Sequence, residues 1–220
     1  MLTIVFDLDG TLIDTAPDLI DTLNVILARE GLPAVAYDDA RAMIGGGARA
    51  MIERALKAER RDEAKAELDR MFRAFVEHYA AHIADRSRPF PHLEATLDGL
   101  AGAGHRLAVC TNKLEWLSRR LLDRLNLSPR FSAICGADTF GVSKPDPAIL
   151  RQTVARAGAE LKSAIMVGDA GPDVGVARRA GVPVICVSFG YTEVPVADLK
   201  PDVVIDHMRE LRGAIEGLTR

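Results

Sequence analysis

Apolar residues in this chain are gathered into short runs rather than spread evenly. Four runs, at residues 2–6, 107–110, 164–167 and 182–187, are each followed by loop-forming residues and then by a helical spacing. A fifth lies at 203–205, and 132–135 reads as a short extra strand. Uninterrupted runs of this length suit strands covered on both faces, as in a parallel sheet, because a wet face would demand polar residues at alternate positions. Helices are expected at 114–125, 147–157, 173–180 and 208–218, and Gly104, Gly158 and Gly181 stand just past helical stretches, where a helix ends most easily. Strand and helix in alternation predict an α/β fold with a doubly wound parallel sheet.

Residues 16–84 break that rhythm. Leu19, Leu23, Ile26 and Leu27 fall on one helical face, and Leu68, Met71, Phe72, Phe75 and Tyr79 repeat the spacing. A crossover between parallel strands needs one helix, whereas several helices after the first strand read as an inserted cap. Its end is expected at Arg86-Ser87-Arg88-Pro89-Phe90-Pro91, a stretch rich in breakers. The reading is a core of residues 1–15 and 86–220 with an α-helical cap domain at 16–85.

Composition adds exclusions. Of 220 residues, 48% are hydrophobic and 27% charged, enough for a real core. A net charge of -3 argues against nucleic acid as partner. No apolar run approaches the roughly 20 residues that span a bilayer, and Asp7 and Asp9 interrupt the N-terminal apolar stretch that a signal peptide would need. A cytoplasmic location and no membrane partner are expected; monomer and homodimer stay equally open. Three widely spaced cysteines, Cys110, Cys135 and Cys186, suggest neither a disulfide framework nor a zinc site.

In open parallel sheets, ligands bind beyond the carboxyl ends of the strands. The first run ends at Asp7 and Asp9, the second at Thr111 and Asn112, and the run at 164–167 at Gly168-Asp169 with Asp173 close behind. Lys144 sits in the proline-restricted loop Ser143-Lys144-Pro145-Asp146-Pro147. Carboxylates gathered at one edge repel unless neutralised, and Mg²⁺ suits an all-oxygen site shared with phosphate. Phosphoryl transfer needs the lysine and polar donors around the spreading oxygens, an aspartate can be the nucleophile, and a second carboxyl two residues on can move the proton.

These residues resemble the four motifs of the haloacid dehalogenase superfamily, in order: Asp7-Leu8-Asp9-Gly10-Thr11-Leu12, Thr111-Asn112, Lys144-Pro145, and Gly168-Asp169 with Asp173. The resemblance implies a Rossmann-like core in which Asp7 is the nucleophile and Asp9 the general acid/base. It implies that Asp7, the backbone carbonyl of Asp9, and Asp169 hold Mg²⁺ with Asp173 in support, and that Thr111, Asn112 and Lys144 bind the phosphoryl oxygens. A carboxyl at Asp9 favours phosphoryl transfer over dehalogenation. The helical insert is similar to the family's cap of the first type.

Within the cap, residues 44–56 resemble the corresponding stretch of phosphoglycolate phosphatases, as do Thr15-Ala16-Pro17-Asp18, Arg88-Pro89-Phe90-Pro91 and Phe189-Gly190-Tyr191. A small phosphorylated substrate, 2-phosphoglycolate first, is therefore expected, with Gly47 and Arg49 setting specificity. Glycines at 45–47 let backbone approach a ligand, and Arg49 offers bidentate pairing; a plain break between helices is the alternative. Rival readings are a sugar-phosphate phosphatase or phosphomutase similar to beta-phosphoglucomutase, and a non-catalytic binding protein. Ala170 and Thr192 stand where many relatives carry serine and asparagine.

Other features carry ordinary expectations. His78 and His82 read as surface or cap-packing residues, Trp116 as a packing residue, and the charge-rich 57–73 as the solvated face of one long cap helix. Asp138, Asp146 and Asp173 each have a claim to a helix-capping role.

Overall fold

Thr3–Phe6 (β1) is buried along its whole length in the computed structural model, which describes residues 1–61, 64–192 and 194–219. It lies at the centre of a parallel sheet with Arg106–Cys110 (β4) on one side and Ala164–Gly168 (β6) on the other. Among the described residues the sheet has six strands in the order β5-β4-β1-β6-β7-β8, where β5 is Ala133–Cys135, β7 Val184–Val187 and β8 Val203–Ile205. The chain builds outward from β1 on one side and then returns to build the other, so the carboxyl end of β1 stands where the direction reverses. Every pairing in this sheet is parallel, and the continuous apolar runs are explained by burial on both faces: Ile4 and Phe6 join one core cluster, Val5 the other.

The connecting helices are Leu93–Gly102 (α5), Glu115–Arg124 (α6), Pro147–Arg156 (α7), Gly171–Ala180 (α8) and Leu211–Leu218 (α9). α7 starts on Asp146, whose carboxylate accepts from the Ala148 amide, with proline at the first helical position. Asp138 accepts from the Glu115 amide and so caps α6 from a neighbouring loop. Gly181, at φ 74°, ends α8 in the left-handed region, as its place in the sequence suggests. Of the residues expected at 208–218, Met208–Glu210 form a 3₁₀ turn before α9.

Between β1 and α5 the chain passes through Ile13–Asp14 (β2), the helices Ala16–Arg29 (α1), Tyr37–Arg41 (α2), Ala48–Ala58 (α3) and Lys65–Ala81 (α4), and Arg88–Pro89 (β3). β2 and β3 pair antiparallel, Asp14 with Arg88 and Ile13 with Pro89, so the chain leaves the core and returns to it at one place. Asp18 fastens that place by accepting from the Arg86 and Ser87 amides and the Ser87 hydroxyl. The buried stripe Met71, Phe75 and Tyr79 of α4 packs into the same cluster as Ile4 and Phe6.

The stretch 57–73 is not one helix. α3 ends at Ala58 and α4 begins at Lys65, while Asp62 and Glu63 lie outside the described residues. Arg60, at φ 55°, turns the chain after α3. Trp116 is not packed inside but 45% exposed, because it falls on the outer face of α6 while Leu117 and Leu121 face inward. All three cysteines are buried and unpaired, and burial pushes the Cys110 thiol up to about 12. Among the described residues no helix is long and apolar enough to cross a membrane.

Candidate active site

Asp7 follows β1 directly, and its amide donates to the Val167 carbonyl of β6 at 2.8 Å, which extends the sheet pairing to the functional residue. Asp169 and Asp173 come from the end of β6 and the first turn of α8. Carboxylate oxygens of Asp7, Asp169 and Asp173 lie within 4.8 Å of one another, all buried; among the described residues this is the cluster with the donors to hold a metal ion. Lys144 reaches into it from the loop before α7. Its Nζ donates to Asp173 Oδ1 at 2.6 Å and lies 2.7 Å from Asp7 Oδ1, there too bent for a hydrogen bond.

The electrostatics follow from three carboxylates and one ammonium out of water. Burial, with Asp173 and Asp9 nearby, pushes Asp7 up to about 6 against the opposing pull of Lys144. Burial first, then repulsion by Asp173 and Asp7, holds Asp169 well above the usual carboxylate range. Burial works against the charge of Lys144, but Asp173 and Asp7 outweigh it and keep the ammonium charged. The cluster is short of positive charge, and all its donors are hard oxygens. A small divalent cation therefore fits it.

Each acid has a separate support. Asp169 accepts from the Thr11 hydroxyl at 2.9 Å and from the Tyr191 amide at 2.6 Å. Gly10, at φ 83°, lets the turn after β1 approach so closely that a Cβ there would lie 2.4 Å from Asp169 Oδ2. Asp173 spends Oδ2 on the Asp169 and Ala170 amides, so it closes the first turn of α8 where Ala170 cannot cap it. Its capping role is thus real, alongside its contact with Lys144. The side chain of Asp9 is not part of the cluster. It turns the other way, accepting from Thr15 Oγ1 at 2.7 Å and from Lys113 Nζ at 2.8 Å on both oxygens.

A cavity of about 320 Å³ opens over these groups. Asp7, Asp9, Thr111, Asn112 and Lys113 form its core side, and Gly47, Arg49, Phe72 and Tyr79 face them from the insert. Lys144 stands behind Asp7 rather than in the wall. Asn112 is drawn into the frame: its amide donates to the Lys144 carbonyl at 3.2 Å and the Gly45 carbonyl at 3.3 Å, and its oxygen accepts from the Lys144 amide at 2.8 Å. Gly47, at φ 87°, precedes α3, and a Cβ there would lie 3.1 Å from the Asn112 carbonyl oxygen. Arg49 lines the cavity but pairs with Asp69 of α4 and lies 5.2 Å from the Phe72 ring centroid. Arg54 donates to the Met43 carbonyl, a structural contact. His78 bonds Thr22 and stacks on His82, which pairs with Asp85, so these histidines pack and solvate the insert.

Lys113 carries no motif of its own in the sequence. Its only signal there is its position next to Thr111-Asn112, yet it is buried and completes the contact with Asp9.

The haloacid dehalogenase-like hydrolase profile matches residues 4–187. A phosphoglycolate phosphatase of Agrobacterium fabrum is 46% identical over 211 residues, 96% of this chain and 91% of that protein. One of Caulobacter vibrioides is 49% identical over 203 residues, 92% of this chain and 86% of that protein. A crystal structure from Haemophilus somnus, described as a predicted phosphoglycolate phosphatase, superposes with a TM-score of 0.90 at 30% identity over 98% of both chains.

Proposed function

The chain belongs to the haloacid dehalogenase-like hydrolases and is a phosphoric monoester hydrolase, and we propose that its substrate is 2-phosphoglycolate, cleaved to glycolate and phosphate. The buried group of Asp7, Lys144, Asp169 and Asp173 beneath the cavity carries the reading. Names borne by the relatives, over most of their length, support the choice of substrate.

Asp7 is assigned as the nucleophile: an oxygen of its carboxylate attacks phosphorus in line, the ester bond breaks, and an aspartyl-phosphate forms. Asp9 gives a proton to the departing glycolate oxygen and then takes one from the water that opens the acyl-phosphate, which releases phosphate and regenerates Asp7. Thr111, the backbone beside Asn112, and Lys144 are assigned to the phosphoryl oxygens, Lys144 also screening Asp7 from Asp173. Asp7, the Asp9 carbonyl and Asp169 would hold Mg²⁺, with Asp173 positioning Lys144 and the α8 turn. When bound, Mg²⁺ supplies positive charge at the phosphoryl oxygens and offsets the repulsion among these acids. Gly47 is assigned to the substrate's far side, while Arg49, whose guanidinium is paired with Asp69, is given no contact with the substrate. Neither nucleic acid nor a membrane enters this reading, and its place is the cytoplasm.

Two measurements test it. In a kcat/KM screen, 2-phosphoglycolate is expected to exceed sugar phosphates and aryl phosphates by about 10²-fold or more; a sugar phosphate at the head of the series rejects the substrate. For the metal, Mg²⁺ is expected to raise the melting temperature more at pH 7.5 than at pH 5. Asp7, pushed up to about 6, holds at pH 5 a proton that the ion must displace. An equal rise at both values, or no rise over an EDTA control, rejects Mg²⁺ at this cluster.

A further inference from the structure

Two cations of the cavity wall stand outside the phosphoryl site, Lys113 and Arg49, and their settings differ. Arg49 has a side chain 40% exposed and is already paired with Asp69 on the neighbouring helix of the insert. The Lys113 side chain is only 6% exposed, its Nζ is 2.8 Å from both oxygens of Asp9, and it lies 4.6 Å from the Tyr79 ring centroid. A charge held out of water interacts with a second ion far more strongly than one at the surface. An ammonium also carries three N–H donors, of which Asp9 takes two.

The distances tie Lys113 to the leaving group. If Asp9 gives its proton to the ester oxygen, that oxygen lies about 3 Å from Asp9, on the wall where Lys113 Nζ also touches Asp9. In 2-phosphoglycolate the carboxylate carbon is two bonds beyond that oxygen. An anion so close to the ester meets Lys113 first, because Lys144 is held by Asp7 and Asp173 at the phosphoryl site and Arg49 is paired with Asp69. Tyr79 closes the other side with its ring, so the seat joins a core lysine to a helix of the insert.

We propose that Lys113 is the residue that recognises the second anionic group of the substrate, a carboxylate two bonds from the ester oxygen, and sets the preference for acidic over neutral phosphoesters. This rests on the reading of 2-phosphoglycolate as substrate. The contact with Asp9 orients the ammonium towards the place where that carboxylate arrives, and Tyr79 keeps the charge from turning away.

The test is kcat and KM for 2-phosphoglycolate and for 2-hydroxyethyl phosphate, which puts a neutral hydroxymethyl group where the carboxylate was. Lys113→Met and Lys113→Gln are compared with Arg49→Met and the unmodified enzyme. Both Lys113 variants lose some turnover on either ester, because Asp9 loses a partner. The preference, the ratio of the two kcat/KM values, is expected to fall about 30-fold in both, the size of a lost charge-assisted hydrogen bond, mostly through KM for 2-phosphoglycolate. Arg49→Met is expected to keep most of the preference. A ratio unchanged in whichever Lys113 variant folds, or one that collapses in Arg49→Met alone, overturns the proposal and leaves the substrate standing. An unmodified enzyme that prefers 2-hydroxyethyl phosphate overturns the substrate itself, and the proposal with it.

Discussion

Phosphate release from an Asp7→Asn variant is expected to fall by at least about 10⁴-fold, the scale seen when a nucleophile is removed, while the protein stays folded. The reason is local. Asn keeps the shape of Asp7 at the end of β1 and its backbone bond to Val167, so the sheet has no cause to shift. What it lacks is an oxygen anion able to attack phosphorus. It also removes one of three buried carboxylates that repel one another, so the metal-free variant is expected to melt no lower than the unmodified protein. A phosphate assay and a circular dichroism melt check the two halves; release within tenfold of the unmodified enzyme rejects Asp7 as nucleophile.

The second large effect is expected on stability. Lys144→Met is expected to cost about 3–5 kcal/mol at pH 8 without metal, because removing one partner of a buried charge group strands the others. Lys144 is the positive charge within the group formed by Asp7 and Asp173. Even with it present, Asp7 is pushed up to about 6. Between the ordinary carboxylate value and that one, the folded protein binds more protons than the unfolded chain, so its stability falls as pH rises through the interval. Loss of Lys144 raises the folded values further and widens the interval. The destabilisation is therefore expected to be smaller at pH 5 than at pH 8, and to shrink again when Mg²⁺ is added at pH 8. Urea unfolding at the two pH values measures it; an equal loss at both would show that Lys144 acts only by filling space.

Much of this arrangement is legible in the sequence because the site hangs from buried strands. Asp7, Thr111 and Asp169 each follow an apolar run that can only be an interior strand, and a parallel sheet brings such ends to one edge. Features made by pairing across long distances are not legible in this way. β2 and β3 have two residues each, too short for any periodicity, and exist only because Ile13 meets Pro89. α5 is hinted at only by Gly104, since Gly99 and Gly102 dilute its pattern and His92 leads into it in the left-handed region. That the Asn112 amide braces the Lys144 loop against the Gly45 carbonyl is likewise invisible in one dimension. Lys113 has no signal in the sequence beyond its place after Thr111-Asn112; what marks it is the ring of Tyr79, far earlier in the chain, beside it.

The narrow ribbon of β2 and β3 has a consequence for how such a protein can change over generations. Asp14 and Arg88 are partners in that ribbon, so everything between them departs from and rejoins the core at a single spot. Neighbouring chain ends are where an inserted segment of almost any length is tolerated. A lineage could exchange or lengthen the stretch from Asp14 to Arg88 without rethreading the strand that ends in Asp7. The strand that carries the nucleophile and the helices that face it across the cavity are thus inherited as separable parts, spliced at one seam.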